Sequence, residues 1–495
     1  MPVTELLDLP MEILQEIVFD LETGFHRKPL RSTCRALGSV VEPVLFSNIV
    51  IKTHDSYLAR TILFCKTLSD PGDGKDRNSL GTHVKTLTVH DWTSSTAVVM
   101  IGRDNVSQGL LNAWREAFIC AVSSLVNLDS FHWIILQHNT REWMYTQVPE
   151  ILSKLPRLSQ FTRVYAKGCP LVPLNHLRHL STLAVDARHI PHEAFDAKIL
   201  EPLSIALKNN RDLQILRVTP PVSRDSKAHS FLDLFRGSLN AEGPSLKLKT
   251  LVVEDLDMQV PVAIAPHLQH LTNLEIRLSW HAINIGNFWD VLRTAKVSLE
   301  SLVVDCDIDH TLIDYLSQCH SRPNILQLKG TTGKLTDAES DELADRFFAT
   351  VLPKFAGALR QLTIRPYFEG RWCIGPHNLN TISRCTNVET LSVCLNGEVI
   401  SSLGDQVNCA HSLPRLKCLY LDSCYPTWAR DGWCGTGRSR YADDVKRTIL
   451  EFLANLDVPE TLADADLRIY FLRYYYIVCR TQDGSLGYKR VRVPN

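Results

Sequence analysis

No run of eighteen apolar residues occurs anywhere in the 495-residue chain, so no membrane-spanning helix is expected. An excess of either charge is also missing. Lysine and arginine number 53 against 54 acidic residues, leaving a net charge of −1. Nothing in that balance favours nucleic acid or an anionic membrane. The opening MPVTELLDLP has no basic or apolar signal region, and no secretory leader is expected from it. C-x-x-C pairs are absent despite 14 cysteines; the closest spacings are Cys418/Cys424 and Cys385/Cys394. Reduced thiols acting as small buried hydrophobes are the expectation. The pairs His176/His179, His189/His192 and His267/His270 lack a matching cysteine pair, so no metal and no cofactor is expected. G-x-S-x-G, H-E-x-x-H, Walker and dinucleotide motifs are all absent. Gly72-Asp73-Gly74-Lys75 lacks the spacing of a phosphate loop. These absences exclude motif-bearing enzymes but not glycosidase-type carboxylate pairs, which leave no short motif. The expectation is a protein that is not an enzyme.

The composition is that of an ordinary soluble globular chain, 45% hydrophobic and 22% charged. Its main content is a recurring phrase: an apolar residue, two others, Leu, one other, then Val, Ile or Leu. It runs VKTLTV (84–89), LQILRV (213–218), LKTLVV (248–253), LTNLEI (271–276), LESLVV (299–304), LRQLTI (359–364), VETLSV (388–393) and LKCLYL (416–421). Weaker copies are LVNLDSF (125–131), LSQF (158–161), LSTLAV (180–185) and ILQL (325–328). The alternating Leu-x-Val ending predicts a strand with two side chains directed to one face. Helical patterns separate the phrases, as at 111–125, 141–155, 195–209, 287–295, 312–319 and 336–355, the last opening on the capping-box pair Thr336 and Glu339. A strand at 48–52 and a helix at 55–68 precede them. Strand-helix units of this kind bury their faces by stacking. The predicted fold class is α/β, an irregular leucine-rich-repeat solenoid with a parallel strand ladder inside and helices outside. The alternative is a doubly wound α/β domain. Leu467 to Cys479 reads as a strand, turning at Gln482-Asp483-Gly484 into Leu486 to Val493, a β-hairpin that caps the stack.

The N-terminal stretch LPMEILQEIVFDL (9–21) predicts an amphipathic helix, with Asp8 and Pro10 at its start and Glu12 in its first turn. Glu12, Gln15, Glu16 and Asp20 share one side. The apolar arc of Met11, Ile13, Leu14, Ile17, Val18, Phe19 and Leu21 is broader than one core-facing stripe. A second helix is predicted from Leu30 (LRSTCRAL) and a third over 40–46. Three short helices have little volume in which to bury that arc, so a partner surface is expected.

Leu9-Pro10, Glu12-Ile13, Ile17, Cys34-Arg35 and the closing cluster Pro43-Val44-Leu45-Phe46 with Ile49 resemble, in order and spacing, an F-box. Leu37 and Thr33 depart from the pattern, which usually has an aromatic residue and a valine there. The resemblance covers residues 5–50 and, with the repeats, points to the large F-box families of fungi. It implies docking onto a Skp1-like adaptor and through it a cullin-RING ubiquitin ligase. Leu9, Pro10, Ile13, Leu14 and Ile17 would make that contact, with Cys34, Leu37 and Phe46 in the subdomain's own core. The expected organisation is an F-box helical domain (1–50), a solenoid (51–465) and a hairpin cap (466–495).

A second binding surface is expected where segments leave the strands. Trp92, Trp133, Trp280, Tyr367, Phe368 and Tyr425 fall there, and two segments lengthen into loops, RPYFEGRWCIGPH (365–377) and YPTWARDGWCGTGRSR (425–440). Tyr367, Phe368, Arg371, Trp372, Trp428, Arg430 and Trp433 are the candidate substrate-binding residues, because Trp, Tyr and Arg most often anchor protein interfaces. The opposing reading is that these aromatics pack down to pin their loops. A charged row, Asp186, Glu254, Asp305 and Asp422 with Arg277 and Arg365, closes the strands and offers a mixed concave face. The function expected is a substrate-recognition subunit of a Skp1-cullin-F-box ubiquitin ligase, cytoplasmic or nuclear, holding a protein target, with no nucleic acid or membrane partner. The alternatives are an F-box scaffold without a ubiquitination role and a motif-poor α/β enzyme.

Overall fold

The computed structural model describes residues 9–21, 24–53, 57–70, 80–91, 108–135, 142–165, 172–221, 228–239, 244–278, 285–319, 321–330, 335–397, 403–429, 436–456, 458, 466–480 and 486–492. They form two compact units, one of residues 1–227 with 233–247 and one of 228–232 with 248–495.

The first unit opens with three helices, α1 (Met11–Asp20), α2 (Gly24–Arg31) and α3 (Arg35–Leu45). The expected second helix, LRSTCRAL, is corrected. The chain turns at Ser32–Cys34, where the Thr33 hydroxyl donates to the Leu30 carbonyl at 2.8 Å and Cys34 adopts an extended conformation before α3. Hydroxyl-to-backbone bonds of this kind compete with helix continuation. Then come β1 (Asn48–Lys52), α4 (Leu58–Ser69), β2 (Thr86–Asp91), α5 (Gln108–Ser124), β3 (Ser130–Ile135), α6 (Glu142–Leu152), β4 (Gln160–Val164), β5 (Thr182–Asp186) and β6 (Ile215–Thr219). Strands β1 to β6 pair in parallel in chain order.

The second unit holds a short pair, β7 (His229–Ser230) with β9 (Leu256–Asp257), and a longer ladder. The ladder is β8 (Thr250–Glu254), β10 (Asn273–Arg277), β11 (Ser301–Asp305), β12 (Ile325–Gly330), β13 (Gln361–Pro366), β14 (Thr390–Leu395), β15 (Cys418–Ser423) and β16 (Arg468–Phe471), all parallel. Two antiparallel strands close it, β17 (Tyr474–Arg480) and β18 (Leu486–Arg492).

Within each unit the phrases end in these strands, in a register that aligns their alternating buried side chains with those of the next strand. Leu274 stands between Leu251 and Leu302, and Ile276 between Val253 and Val304; all six are buried. Each such side chain contributes about 1.5–3 kcal/mol by leaving water. This is a leucine-rich-repeat-type ladder, and parallel pairing in strict chain order excludes the doubly wound alternative, whose strand order reverses. The C-terminal stretch differs from expectation. Leu467 to Cys479 is not one strand: Leu472, at φ 57°, turns β16 back into β17, so two antiparallel pairings rather than one end the ladder. Gln482-Asp483-Gly484 lie outside the described residues. The long helical patterns at 195–209 and 336–355 are each interrupted by a π-helical segment, Asp196–Leu200 and Phe347–Val351. Thr336 and Glu339 form the expected capping box.

Candidate functional site

The three N-terminal helices share a small core of Leu14, Val18, Leu37, Val40 and Val41, with Leu9, Leu30, Cys34, Val44 and Leu45 packed on it. Arg31 pairs with Glu42 at 2.9 Å and lies over the Phe46 ring, holding α2 to α3. Arg27 caps the end of α1 through the Val18 and Phe19 carbonyls. This core takes only two residues of α1. Met11, Ile13 (41% exposed), Ile17 (39%) and Phe19 (73%) remain in solvent, together with Pro10. Leu9 is half-buried. Leu14 is a correction: at 5% exposure it belongs to the subdomain's core and cannot be a surface contact. Leu37 is in that core with Cys34 packed on it, Phe46 is half-buried under Arg31, and Asp8 lies outside the described residues. Beside α1 runs a groove of about 1260 Å³, with Glu12, Glu16 and Phe19 on one wall and Lys85 and Arg157 on the other.

The loop 365–377 of the second unit is a fixed structure. Phe368 bridges to Tyr425 and Ile374 to Leu395. Glu369, buried, accepts from the Gly397 amide at 2.7 Å and the Tyr441 hydroxyl at 2.6 Å. Asn378, fully buried, takes the Gly375 amide and donates to the Cys373 carbonyl. Trp372 is a second correction. It is 3% exposed, packed against Phe347 and Phe348, so it pins the loop and is not available to a partner. Arg371 is exposed but ion-paired to Asp345, with its amide on Asp341 at 2.8 Å. Tyr367 and Trp428 are exposed and Phe368 is half-buried. Arg430 and Trp433 lie outside the described residues, as do Trp92 and Trp280. Trp133, expected at a rim, is fully buried.

Tyr367 edges a basin of about 350 Å³ at the ends of β11 to β15, with Asp305, Lys329, Arg365, Asp422 and Lys446. Arg365 pairs with Asp422, and along the same row Arg277 pairs with Glu254 at 3.1 Å. Burial raises the Asp305 carboxyl above its usual range, against the opposing pull of Lys329 and Arg277. Arg365 and Asp422 match each other in place, so the basin is an ionic surface of the ladder. Below it Cys373, Cys394 and Cys424 are buried together, with the Cys373 and Cys424 sulfurs 3.5 Å apart. Burial pushes the Cys424 thiol well up, as expected of a packing residue and not a nucleophile. All twelve described cysteines are free. Among the described residues, no group of three or more His, Cys, Asp or Glu is arranged to hold a metal. No described helix is long and apolar enough to cross a membrane.

No protein-family profile matches the sequence, and no curated protein does. Among solved structures, the chain is similar to one in the crystal structure of the Rad7 and Elc1 complex in yeast, at 14% identity and a TM-score of 0.35, over 83% of this chain and 88% of that one. It is also similar to a leucine-rich-repeat protein of Leptospira interrogans, at 12% identity and a TM-score of 0.30, over 84% and 98%. Scores this low assign nothing by themselves; the strand ladder defines the fold.

Proposed function

We propose that the chain is the substrate-recognition subunit of a Skp1-cullin-F-box ubiquitin ligase, docking a Skp1-like adaptor through α1 and holding a protein target on its strand ladder. One observation carries the reading: a three-helix subdomain with the F-box residue order leaves Met11, Ile13, Ile17 and Phe19 in solvent. A patch of this kind costs solubility unless something covers it. The adaptor contacts are Leu9, Pro10, Ile13 and Ile17. In this reading the chain performs no chemistry. It raises the target's effective concentration beside the ubiquitin-conjugating enzyme, in the cytoplasm or nucleus. Tyr367, Phe368 and Trp428 stay as candidate target contacts, since each keeps exposed area beside the basin or its loop.

Ile13→Asp with Ile17→Asp tests it. The double variant should lose co-purification with Skp1 while its melting temperature stays with that of the parent, because neither side chain supports the core. A folded double variant that still binds would sink the assignment.

A further inference from the structure

The closing strands of the second unit carry a surface of their own. Their register sets Tyr420 of β15 beside Tyr470 of β16, and Tyr470 beside Tyr475 of β17. The first two rings stack, centroids 4.5 Å apart and planes 14° apart; the second pair is at 5.7 Å and 36°. One step of two residues along the strands, the same face carries Cys418, Arg468, Ile477 and Lys489. Tyr420, Arg468 and Lys489 are exposed, and Tyr470 and Tyr475 half-exposed. The carboxylate of β15 on this face, Asp422, is held by Arg365. The cations on this face are Arg468 and Lys489, with Asp466 two residues before Arg468 along the chain; Arg480, Arg490 and Arg492 alternate to the opposite face.

We propose that this face docks an acidic, extended polypeptide segment of a partner protein. Lysine and arginine supply charge complementarity, and the tyrosines supply hydroxyl donors and electropositive ring edges at little entropic cost. Nucleic acid is equally anionic but fits worse. Base stacking needs open ring faces, and the faces between Tyr420 and Tyr470 are covered by each other. The surface is independent of adaptor docking, so it stands or falls separately from the ligase reading.

The test uses the full chain and a fluorescein-labelled octaglutamate peptide, read by anisotropy at low salt, with octalysine and an oligothymidylate alongside. Octaglutamate binds and octalysine does not. Arg468→Gln with Lys489→Gln weakens binding by about tenfold, and Tyr420→Ala weakens it by several-fold. All three positions are exposed, so melting curves match the parent. The proposal is overturned if octaglutamate fails to bind, if it binds the variants as well as the parent, or if oligothymidylate binds more tightly and is the probe the variants lose.

Discussion

At the scale of single residues, the second inward position of β4 holds not the expected aliphatic side chain but Arg163, fully buried. Its guanidinium carbon lies 4.6 Å from the ring centres of Trp133 and Tyr165 and 5.5 Å from that of Tyr145, and among the described residues none of its three nitrogens has a hydrogen-bond acceptor. Aromatic faces return up to about 2 kcal/mol to such a cation, whereas removing it from water costs several. Arg163→Met should therefore raise stability, by roughly 1–4 kcal/mol, in denaturant melts. Arg163→Ala should lower it through the cavity left behind. Equal losses in both would mean that the cage is net stabilising. Sequence could not reveal this residue, because an arginine at a strand position reads as outward-facing. The same limit explains Leu14 and Trp372. Pattern marks a side chain as apolar, but only packing decides between a core and a partner, and neighbours in one arc, Leu14 and Ile13, go opposite ways.

At the scale of elements, helix Leu403–Ser412 is tied to β18 by a 2.5 Å hydrogen bond between the His411 ring and the Tyr488 hydroxyl. Burial lowers the His411 pKa below its usual value. A histidine depressed in the folded state takes up its proton more readily when unfolded. Its contribution is thus intact above pH of about 6.5 and is lost as pH falls through that value toward the lower folded pKa. Denaturant midpoints should drop across that window, and His411→Gln should flatten the drop; an unchanged slope would remove the histidine from the account. At the end of β12, a Cβ added to Gly330 would lie 2.2 Å from the Cys306 carbonyl oxygen. Gly330→Ala should therefore cost on the order of 1–3 kcal/mol, measurable as a fall in melting temperature. Helix and strand placement was legible because Leu-x-Val alternation and the Thr336/Glu339 box are local signals. The turn at Leu472 was not, because a non-glycine residue at positive φ inside an apolar, β-branched and aromatic run gives no local cue.

For the whole molecule, parallel ladders whose strands follow the chain order arise from one repeated physical requirement. A strand-helix unit exposes apolar faces that only its neighbours cover, so stability comes from stacking. That requirement was legible in the phrase repeated along the sequence. The division into two compact units was not, since the phrase continues on both sides of it at 213–218 and 248–253. The N-terminal helices were legible as surplus apolar surface, and Met11, Ile13, Ile17 and Phe19 are where that surplus lies. Light scattering on the gel-filtration peak of the intact chain mixed with Skp1, beside a chain lacking residues 1–50, tests the central claim most directly. A stoichiometric complex formed by the intact chain and lost on truncation is the predicted result. A folded intact chain that elutes apart from Skp1 would contradict it.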